Sequence, residues 1–318
     1  MNVAEWKHWI WEHNLGEFTE QSQIPRSRCP FLEVPIHKTE DDRGFLYRLR
    51  LPYFYASQDS LPYWERERTA SMRANLKKGD ILFDIGVEQG WLSAIYATFV
   101  GPENMVLFEP ASALWPNIKA IWEENDFSNP IAARSVLIGE KTENYSVPDT
   151  LWPSCAQSDL WITREVTTWQ DRMNYAYLSF INGNAPSSGY PVISIDDFCS
   201  ETQITPEALT IDVEGAEMLV LKGAKQTLLD KKPLVWASLH PDCSAERYGY
   251  PISQINEYMA KLGYVGEQIA EDHEEHWIFY NPSVHSPIKV QDTWNIGSTH
   301  RQPFGTWRAH AISKGLSI

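Results

Sequence analysis

The stretch Leu82–Leu92, with the sequence LFDIGVEQGWL, decides the fold of this chain. Its apolar first half predicts a buried strand, its two glycines predict a tight turn, and the apolar residues that follow predict a helix. Met105–Phe108 predicts a second strand that ends on Glu109. Glycines let a backbone approach a ligand closely, and an acid at the tip of the next strand can accept both ribose hydroxyls. The two motifs together predict a nucleoside site at the carboxyl edge of a parallel sheet.

The loop chemistry favours a cationic ligand. A dinucleotide fingerprint needs G-x-G-x-x-G, so that a pyrophosphate can rest on the helix N-terminus. Here Asp84 and Glu88 stand inside the loop, where they would repel a pyrophosphate but attract an ammonium or a sulfonium. The site is therefore predicted to bind S-adenosylmethionine (SAM). Two alternatives stay open: a glycine turn with a purely structural role, and an NAD-dependent oxidoreductase.

Composition restricts the class of protein and its partners. The chain has 318 residues, of which 43% are hydrophobic, and a net charge of −15. Such a chain folds into a sizeable core, and its charge disfavours nucleic acid and anionic membranes as partners. No run reaches the roughly 18 apolar residues of a membrane span, and residues 1–10 do not resemble a signal peptide. The four cysteines lack metal-type spacing, so free thiols and a cytoplasmic location are expected.

The order of the predicted elements indicates an α/β fold with a mostly parallel seven-stranded sheet and helices on both faces. An aromatic-rich extension is expected over residues 1–62, the SAM-binding domain over 63–282 and a tail over 283–318. An irregular insertion is expected over about 139–190, as a lid, as an irregular antiparallel flap or as a surface excursion without a role. The predicted helices and strands of the domain cover residues 63–76, 81–85, 91–99, 105–108, 112–125, 131–138, 209–213, 216–229, 234–239, 252–262, 264–269 and 276–280. Before the domain, residues 45–51 alternate between apolar and polar side chains in the second half of the segment, which predicts a strand.

A second group of acids stands at another strand-to-helix junction, in the segment TIDVEGAE that ends at Glu217. Asp212 and Glu214 alternate in the strand register, so both side chains are expected at the ligand-binding edge of the sheet. Glu217 falls in the first turn of a helix, where the helix dipole favours a carboxylate. His240 arrives at the tip of the following strand. A single histidine is often only a packing or capping residue, but beside these acids it is a candidate general base.

Together these motifs resemble the FkbM family of SAM-dependent methyltransferases, which have the class I methyltransferase fold. The resemblance rests on FDIG…G at residues 83–90, FEP at 108–110 followed by Asn117, SIDD at 194–197, and above all IDVEGAE…LKGA at 211–224. It covers about residues 65–280. This chain departs from the family pattern at Val87-Glu88, where Ala-Asn is usual, and at Ser238, where an acid is usual.

The resemblance implies methyl transfer from SAM to an oxygen of a small molecule, possibly a carbohydrate. Asp84, Gly86, Glu88 and Gly90 are then expected at the amino-acid end of SAM, and Glu109 at its ribose. Asp212, Glu214 and His240 are expected on the acceptor side, with His240 as the preferred base. A divalent metal at Asp212 and Glu214 is possible but not favoured, and no metal ligand is assigned. The remaining alternative is a binding or scaffold protein that keeps the fold without turnover.

Overall fold

The structure is a computed structural model that describes residues 31–36, 47–52, 65–153, 190–271 and 274–289. Most of the predicted extension (residues 1–62) and of the predicted tail (283–318) lies outside these ranges. Of the predicted insertion over 139–190, residues 154–189 also lie outside them. The domain boundaries therefore stay predictions.

The described residues form eleven strands and eight α-helices in an alternating order. The strands are β1 (Phe31–Ile36), β2 (Tyr47–Pro52), β3 (Leu82–Ile85), β4 (Met105–Phe108), β5 (Ala132–Arg134), β6 (Leu137–Ile138), β7 (Val192–Ile193), β8 (Ala208–Ile211), β9 (Leu234–Leu239), β10 (Val265–Glu271) and β11 (Glu275–Tyr280). The helices are α1 (Arg66–Asn75), α2 (Trp91–Val100), α3 (Trp115–Glu124), α4 (Ile195–Thr202), α5 (Glu217–Gly223), α6 (Lys225–Asp230), α7 (Pro241–Tyr248) and α8 (Ile252–Lys261). Short 3₁₀ turns precede β4 and α3.

Seven of these strands form one twisted sheet in the order β10-β11-β9-β8-β3-β4-β5. The strands from β9 to β5 run parallel, and β11 is antiparallel to both of its neighbours. In a parallel sheet the carboxyl ends of the strands share one edge, and ligands bind where the strand order reverses. Here that point lies between β3 and its two neighbours, β4 and β8. The predicted seven-stranded, mostly parallel sheet is confirmed.

Helices cover both faces of the sheet, as its alternating side chains require. Along β3, Leu82 packs into one apolar cluster with α2 and α3, and Phe83 packs into a second cluster with α4, α5, α6 and α8. Every residue of β3 and β4 is buried, and all of them except Asp84 are apolar. Both faces are therefore closed to water, and polar side chains concentrate at the edge of the sheet.

The predicted third strand over residues 131–138 is wrong in its extent. The structure divides it into β5, which ends at Arg134, and β6, which pairs with β7 in a separate two-stranded sheet. At the break, the Ser135 hydroxyl donates to the carbonyl of Pro110. Apart from Arg134 and Ser135 the run is apolar, because both halves are at least partly buried, so its hydrophobicity does not show that the chain changes sheets.

The predicted helix over residues 216–229 is likewise two helices, α5 and α6, separated at Ala224. The cause is a cap supplied from another helix. The Asp196 carboxylate accepts from the backbone N–H groups of Gln226 and Thr227, each at 2.8 Å, and from the Thr227 hydroxyl at 2.7 Å. Because Asp196 of α4 accepts from these N–H groups, they need no partner in the preceding turn, and a new helix begins after Ala224.

The sequence pattern did not predict α4, α7, β1 or β7 as separate elements. Helix α7 follows β9 directly and ends at Gly249, and β1 pairs with β2 as an antiparallel hairpin of which only the second strand was predicted. Gly263, which follows the C-terminal turn of α8, has φ +84°, a left-handed conformation that favours glycine at the end of a helix. Among the described residues, no helix combines the length and apolar character needed to cross a bilayer.

Candidate functional site

The turn after β3 depends on Gly86, which has φ +91°. Its N–H donates to the carbonyl of Phe108 at 2.9 Å. A Cβ atom at this position would lie 1.7 Å from the carbonyl oxygen of Asp212. Glycine is required here because the backbone after β8 packs directly against the backbone after β3. This contact brings the two acid-bearing loops together.

Strand β3, the turn after it and the end of β4 place three carboxyl groups in the site, those of Asp84, Glu88 and Glu109. Asp84 is buried and accepts from the Ser93 hydroxyl at 2.5 Å, and Glu109 accepts from the N–H groups of Glu88 and Ala111, each at 2.8 Å. Burial raises the pKa of Asp84 to about 6, of Glu88 to about 7 and of Glu109 to about 8. In each case loss of solvent is the largest cause, and it outweighs the hydrogen bonds that favour the ionised form.

Two neighbouring cavities, each of about 220 Å³, open at this edge of the sheet. The acidic cavity is lined by Glu65, Arg68, Asp84, Gly86, Val87, Glu88, Trp91, Leu92, Ser93, Tyr96, Glu109, Asp212, Glu214, His240 and Glu274. The apolar cavity is lined mainly by Ile85, Phe108, Pro110, Val136, Leu137, Ile138, Val213 and Ala216. Both include Gly86, Glu109, Asp212 and Glu214, so the two cavities are halves of one cleft.

The cleft brings together seven of the eight predicted site residues. These are Asp84, Gly86, Glu88, Glu109, Asp212, Glu214 and His240. Gly90 is not among the described residues that line either cavity. It has φ +87° and begins α2, and a Cβ atom there would lie 3.0 Å from Ile118 Cγ1. Its glycine is explained by the packing of α2 against α3.

The predicted strand register of Asp212 and Glu214 is wrong, although both side chains reach the cavity. Strand β8 ends at Ile211, and Glu214 adopts a left-handed conformation with φ +53°. Gly215 follows with φ +101° and completes the turn into α5. The two acids therefore converge through a strained turn and not through alternation along a strand. Strain of this kind is typical of sites that bind ligands.

His240 lies among four carboxylates at the end of β9. Its Nδ1 is 2.9 Å from Oε1 of Glu217, and its Nε2 is 2.7 Å from Oε2 of Glu274. Nε2 also lies 3.6 Å from Glu214 and 3.8 Å from Asp212. Glu217 is fully buried, so its role exceeds the predicted favourable interaction with the helix dipole. It orients the imidazole.

These contacts determine the protonation of the cluster. Burial disfavours a charged imidazole, but the hydrogen bonds to Glu217 and Glu274 and the charge of Asp212 outweigh it and raise the pKa of His240. Burial, followed by the charges of Glu274 and Glu65, raises the pKa of Asp212 well above its usual range. In this arrangement the imidazole is a proton donor, and a carboxylate is the group able to accept a proton.

Sequence reasoning missed Glu274, which lies between β10 and β11. The register that pairs Glu275 with Leu239 places Glu274 beside His240. Ser238 of β9, where the family usually has an acid, pairs with His276 of β11. The acid next to His240 is thus provided by the neighbouring hairpin. The position of Glu274 follows from the register of β11 against β9. That register cannot be read from the sequence of a single apolar strand.

Arg68 and Glu65 were also missed, since they lie at the start of α1, far away in sequence. Arg68 is buried, lies 2.5 Å from Glu65 and 3.3 Å from Asp212, and donates to Ser238 at 2.7 Å. It also donates to the hydroxyl of Thr210 on β8. Among the described residues that line the acidic cavity, Arg68 is the sole Lys or Arg. Through these contacts Arg68 connects α1 to the carboxyl ends of β8 and β9.

Comparison with known protein families decides the classification. Residues 84–265, more than half of the chain, match the family model described as the methyltransferase FkbM domain. The chain belongs to this family. The resemblance seen in the sequence is thereby confirmed, and SAM is the cofactor of this FkbM-family methyltransferase. The matched segment begins at Asp84 in β3 and ends at Val265 in β10, so it contains all eight predicted site residues but not Glu65, Arg68 or Glu274.

Solved structures give more distant likenesses to this FkbM-family chain. An FkbM methyltransferase from Methylobacillus flagellatus is 16% identical, with a TM-score of 0.42, over 64% of this chain and 43% of that protein. A precorrin-6y C5,15-methyltransferase from Geobacter metallireducens is 8% identical, with a TM-score of 0.40, over 77% and 98%. Fibrillarin from Aeropyrum pernix, solved with natively bound SAM, is 10% identical, with a TM-score of 0.39, over 79% and 99%. No curated protein sequence matches the chain.

Proposed function

We propose that this methyltransferase transfers the methyl group of SAM to a hydroxyl oxygen of a small molecule, with a carbohydrate as the favoured class. The observation that supports the proposal is the divided cleft. Its apolar half suits an adenine, and Glu109 stands where the halves meet. The other half joins the acids of the glycine turn to the acids around His240. A donor laid along the cleft would present its methyl group to that second set of acids.

The donor half of the proposal assigns each predicted residue a contact. Glu109 accepts hydrogen bonds from the ribose hydroxyls, and Asp84 and Glu88 face the ammonium of the methionine moiety. Gly86 holds the turn against the loop of Asp212, which keeps the floor of the cleft closed. Gly90 contributes through helix packing.

The acceptor half uses Asp212 and Glu214. The acceptor oxygen attacks the methyl carbon, the bond from that carbon to sulfur breaks, and S-adenosylhomocysteine leaves as a neutral thioether. The hydroxyl proton passes to a carboxylate oxygen of Asp212 or Glu214. In-line placement of donor and acceptor provides most of the rate enhancement for such a displacement. We propose these two acids in place of His240, which was first predicted to be the base, because the imidazole is a proton donor in this cluster.

The test of the donor site is isothermal titration of the protein with SAM and with S-adenosylhomocysteine. Glu109→Ala is expected to weaken binding by about 1–3 kcal/mol, or roughly 5- to 150-fold, because the ribose hydroxyls lose their acceptor. Glu103→Ala is the matched control, since Glu103 is an exposed acid at the opposite end of β4. Equal affinities for the wild type and Glu109→Ala would remove Glu109 from the ribose contact.

The acceptor is tested by supplying SAM with a labelled methyl group together with panels of sugars, other small hydroxyl compounds and RNA. A labelled methyl ether on a small molecule supports the proposal, and label on RNA would overturn the substrate class. Asp212→Asn is expected to lower turnover strongly while leaving the affinity for S-adenosylhomocysteine within a few fold. SAM binding without turnover on any panel would instead favour a binding or scaffold protein. Stabilisation by NADH and not by SAM would favour an oxidoreductase.

A further inference from the structure

Three side chains of different chemical type converge inside the acidic cavity. Asp212, His240 and Glu274 each present one ligand atom, and these atoms all lie within 4.8 Å of one another. They come from the ends of β8 and β9 and from the turn of the β10–β11 hairpin. His240 and Glu274 are buried, and Asp212 is partly exposed. We propose that this triad binds a divalent first-row cation, for which Mn²⁺ is the appropriate probe.

The histidine is held as metal-binding histidines are held. Its Nδ1 meets Oε1 of Glu217 at 2.9 Å, which directs Nε2 towards Asp212 and Glu274. Glu217 is itself fixed, because it accepts from the N–H of Gly215 at 2.9 Å and from the hydroxyl of Ser244 at 3.1 Å. A carboxylate behind the imidazole sets the tautomer and the ring orientation at metal sites. This arrangement distinguishes the triad from an ordinary group of surface acids.

The acidic lining of the cavity also favours a bound cation. Its lining contains seven carboxyl groups, those of Glu65, Asp84, Glu88, Glu109, Asp212, Glu214 and Glu274. Arg68 is already engaged by Glu65 and Asp212. Buried carboxylates are costly unless they are paired or bind a metal. One imidazole with two carboxylates is a ligand set suited to a first-row ion rather than to Ca²⁺, which takes oxygen ligands.

The role of the ion rests on the proposed function. Bound at the triad, the ion faces the same cavity as the acceptor hydroxyl, and a metal-bound hydroxyl loses its proton more readily. Glu214, which lies 3.6 Å from Nε2 of His240 but is not a member of the triad, is then placed to accept that proton. The methyl group moves from sulfur to oxygen as before. The ion is neither oxidised nor reduced.

The experiment is titration of metal-stripped, full-length protein with Mn²⁺, followed by electron paramagnetic resonance of the free ion. One ion per chain is expected to bind with micromolar affinity and to stay bound when S-adenosylhomocysteine is added. Thermal stability is expected to increase with Mn²⁺ concentration. No saturable binding of Mn²⁺, or release of the ion by S-adenosylhomocysteine, would overturn the site. SAM binding in the presence of a chelator is measured separately, so failure of the metal site is distinguishable from failure of the donor site.

Variants locate the ion. Glu274→Gln is expected to weaken Mn²⁺ binding at least 10-fold, and Glu217→Gln, which acts through His240, by about 10- to 100-fold. Glu271→Gln is the matched control, because Glu271 is an exposed acid of the same hairpin and is not in the triad. Circular dichroism checks that each variant is folded. If Glu274→Gln does not fold, Asp212→Asn replaces it with the same expected loss. Mn²⁺ affinity that is unchanged in a folded triad variant would overturn the assignment.

Discussion

At the scale of single residues, the site depends on Gly86, because only a hydrogen atom fits in the place of its side chain. Its φ of +91° and the carbonyl of Asp212, 1.7 Å from the position of a Cβ atom, both exclude a side chain. We expect Gly86→Ala to destabilise the fold by several kcal/mol and to displace the loop that carries Asp212. Urea denaturation measures the loss. Gly79→Ala is the control, since Gly79 has φ +93° but nothing within 4 Å of its Cβ position, and about 1–2 kcal/mol is expected there. Equal losses would show that backbone strain alone explains both.

Glu109 gives a second prediction at this scale, for the pH dependence of donor binding. Burial raises the pKa of Glu109 to about 8 in the empty cleft, and the ribose hydroxyls need the ionised form as acceptor. The affinity of the wild type for SAM, divided by that of Glu109→Gln, is therefore expected to increase from about pH 6 to about pH 9. The ratio cancels the titration of the ammonium group of SAM, which both proteins share. A constant ratio, measured by isothermal titration, would contradict the role of Glu109.

At the scale of elements, Asp196 connects two helices. It lies in the first turn of α4, yet it caps the first turn of α6 through Gln226 and Thr227. We expect Asp196→Ala to lower the free energy of unfolding by about 1–2 kcal/mol, as for the loss of a helix cap. Glu201→Ala, an exposed change on the same helix, is expected to stay within about 0.5 kcal/mol. Chemical denaturation compares the two, and similar losses would mean that the cap has no energetic role.

The same elements show what the sequence predicted and what it did not. Strands β3, β4 and β9 were predicted to within one residue because each is a short apolar run bounded by turn residues. The breaks after Arg134 and at Ala224 were missed, since each depends on a partner distant in sequence. In the first case the partner is β7, and in the second it is Asp196. Local patterns carry no information on such partners.

The site follows the same rule. Asp84, Glu109 and Asp212 were recognised because each stands at the end of an apolar strand, where a parallel sheet exposes its carboxyl edge. Arg68 and Glu274 were not, because they reach the cleft from α1 and from the antiparallel hairpin. Their positions depend on tertiary packing and strand register, and neither has a motif. The metal triad needs Glu274, so it emerged only from the structure.

At the scale of the whole molecule, the ligand-free cleft makes stability depend on pH. Burial raises the pKa values of Asp84, Glu88 and Glu109 to about 6, 7 and 8, from unperturbed values of 3.8, 4.5 and 4.5. Between the unperturbed and the raised values the folded state binds more protons than the unfolded chain. The contribution of these groups to stability is therefore fully present below the unperturbed values and is lost as the pH rises through about 6 to 8.

We expect the melting temperature of the ligand-free, metal-stripped protein to fall by several degrees between about pH 6 and pH 9, since each unit of pKa shift corresponds to about 1.4 kcal/mol. Scanning calorimetry measures this decrease. Glu109→Gln is expected to flatten the upper part of the curve, because it removes the group that titrates highest of the three, whereas Glu103→Gln, an exposed acid, leaves the slope unchanged. A melting temperature that is constant or rises over this range would mean that the buried carboxyls are already ionised in the folded protein. The acidic cleft would then hold its negative charge without a bound cation, and its need for the sulfonium of SAM or for a metal ion would disappear.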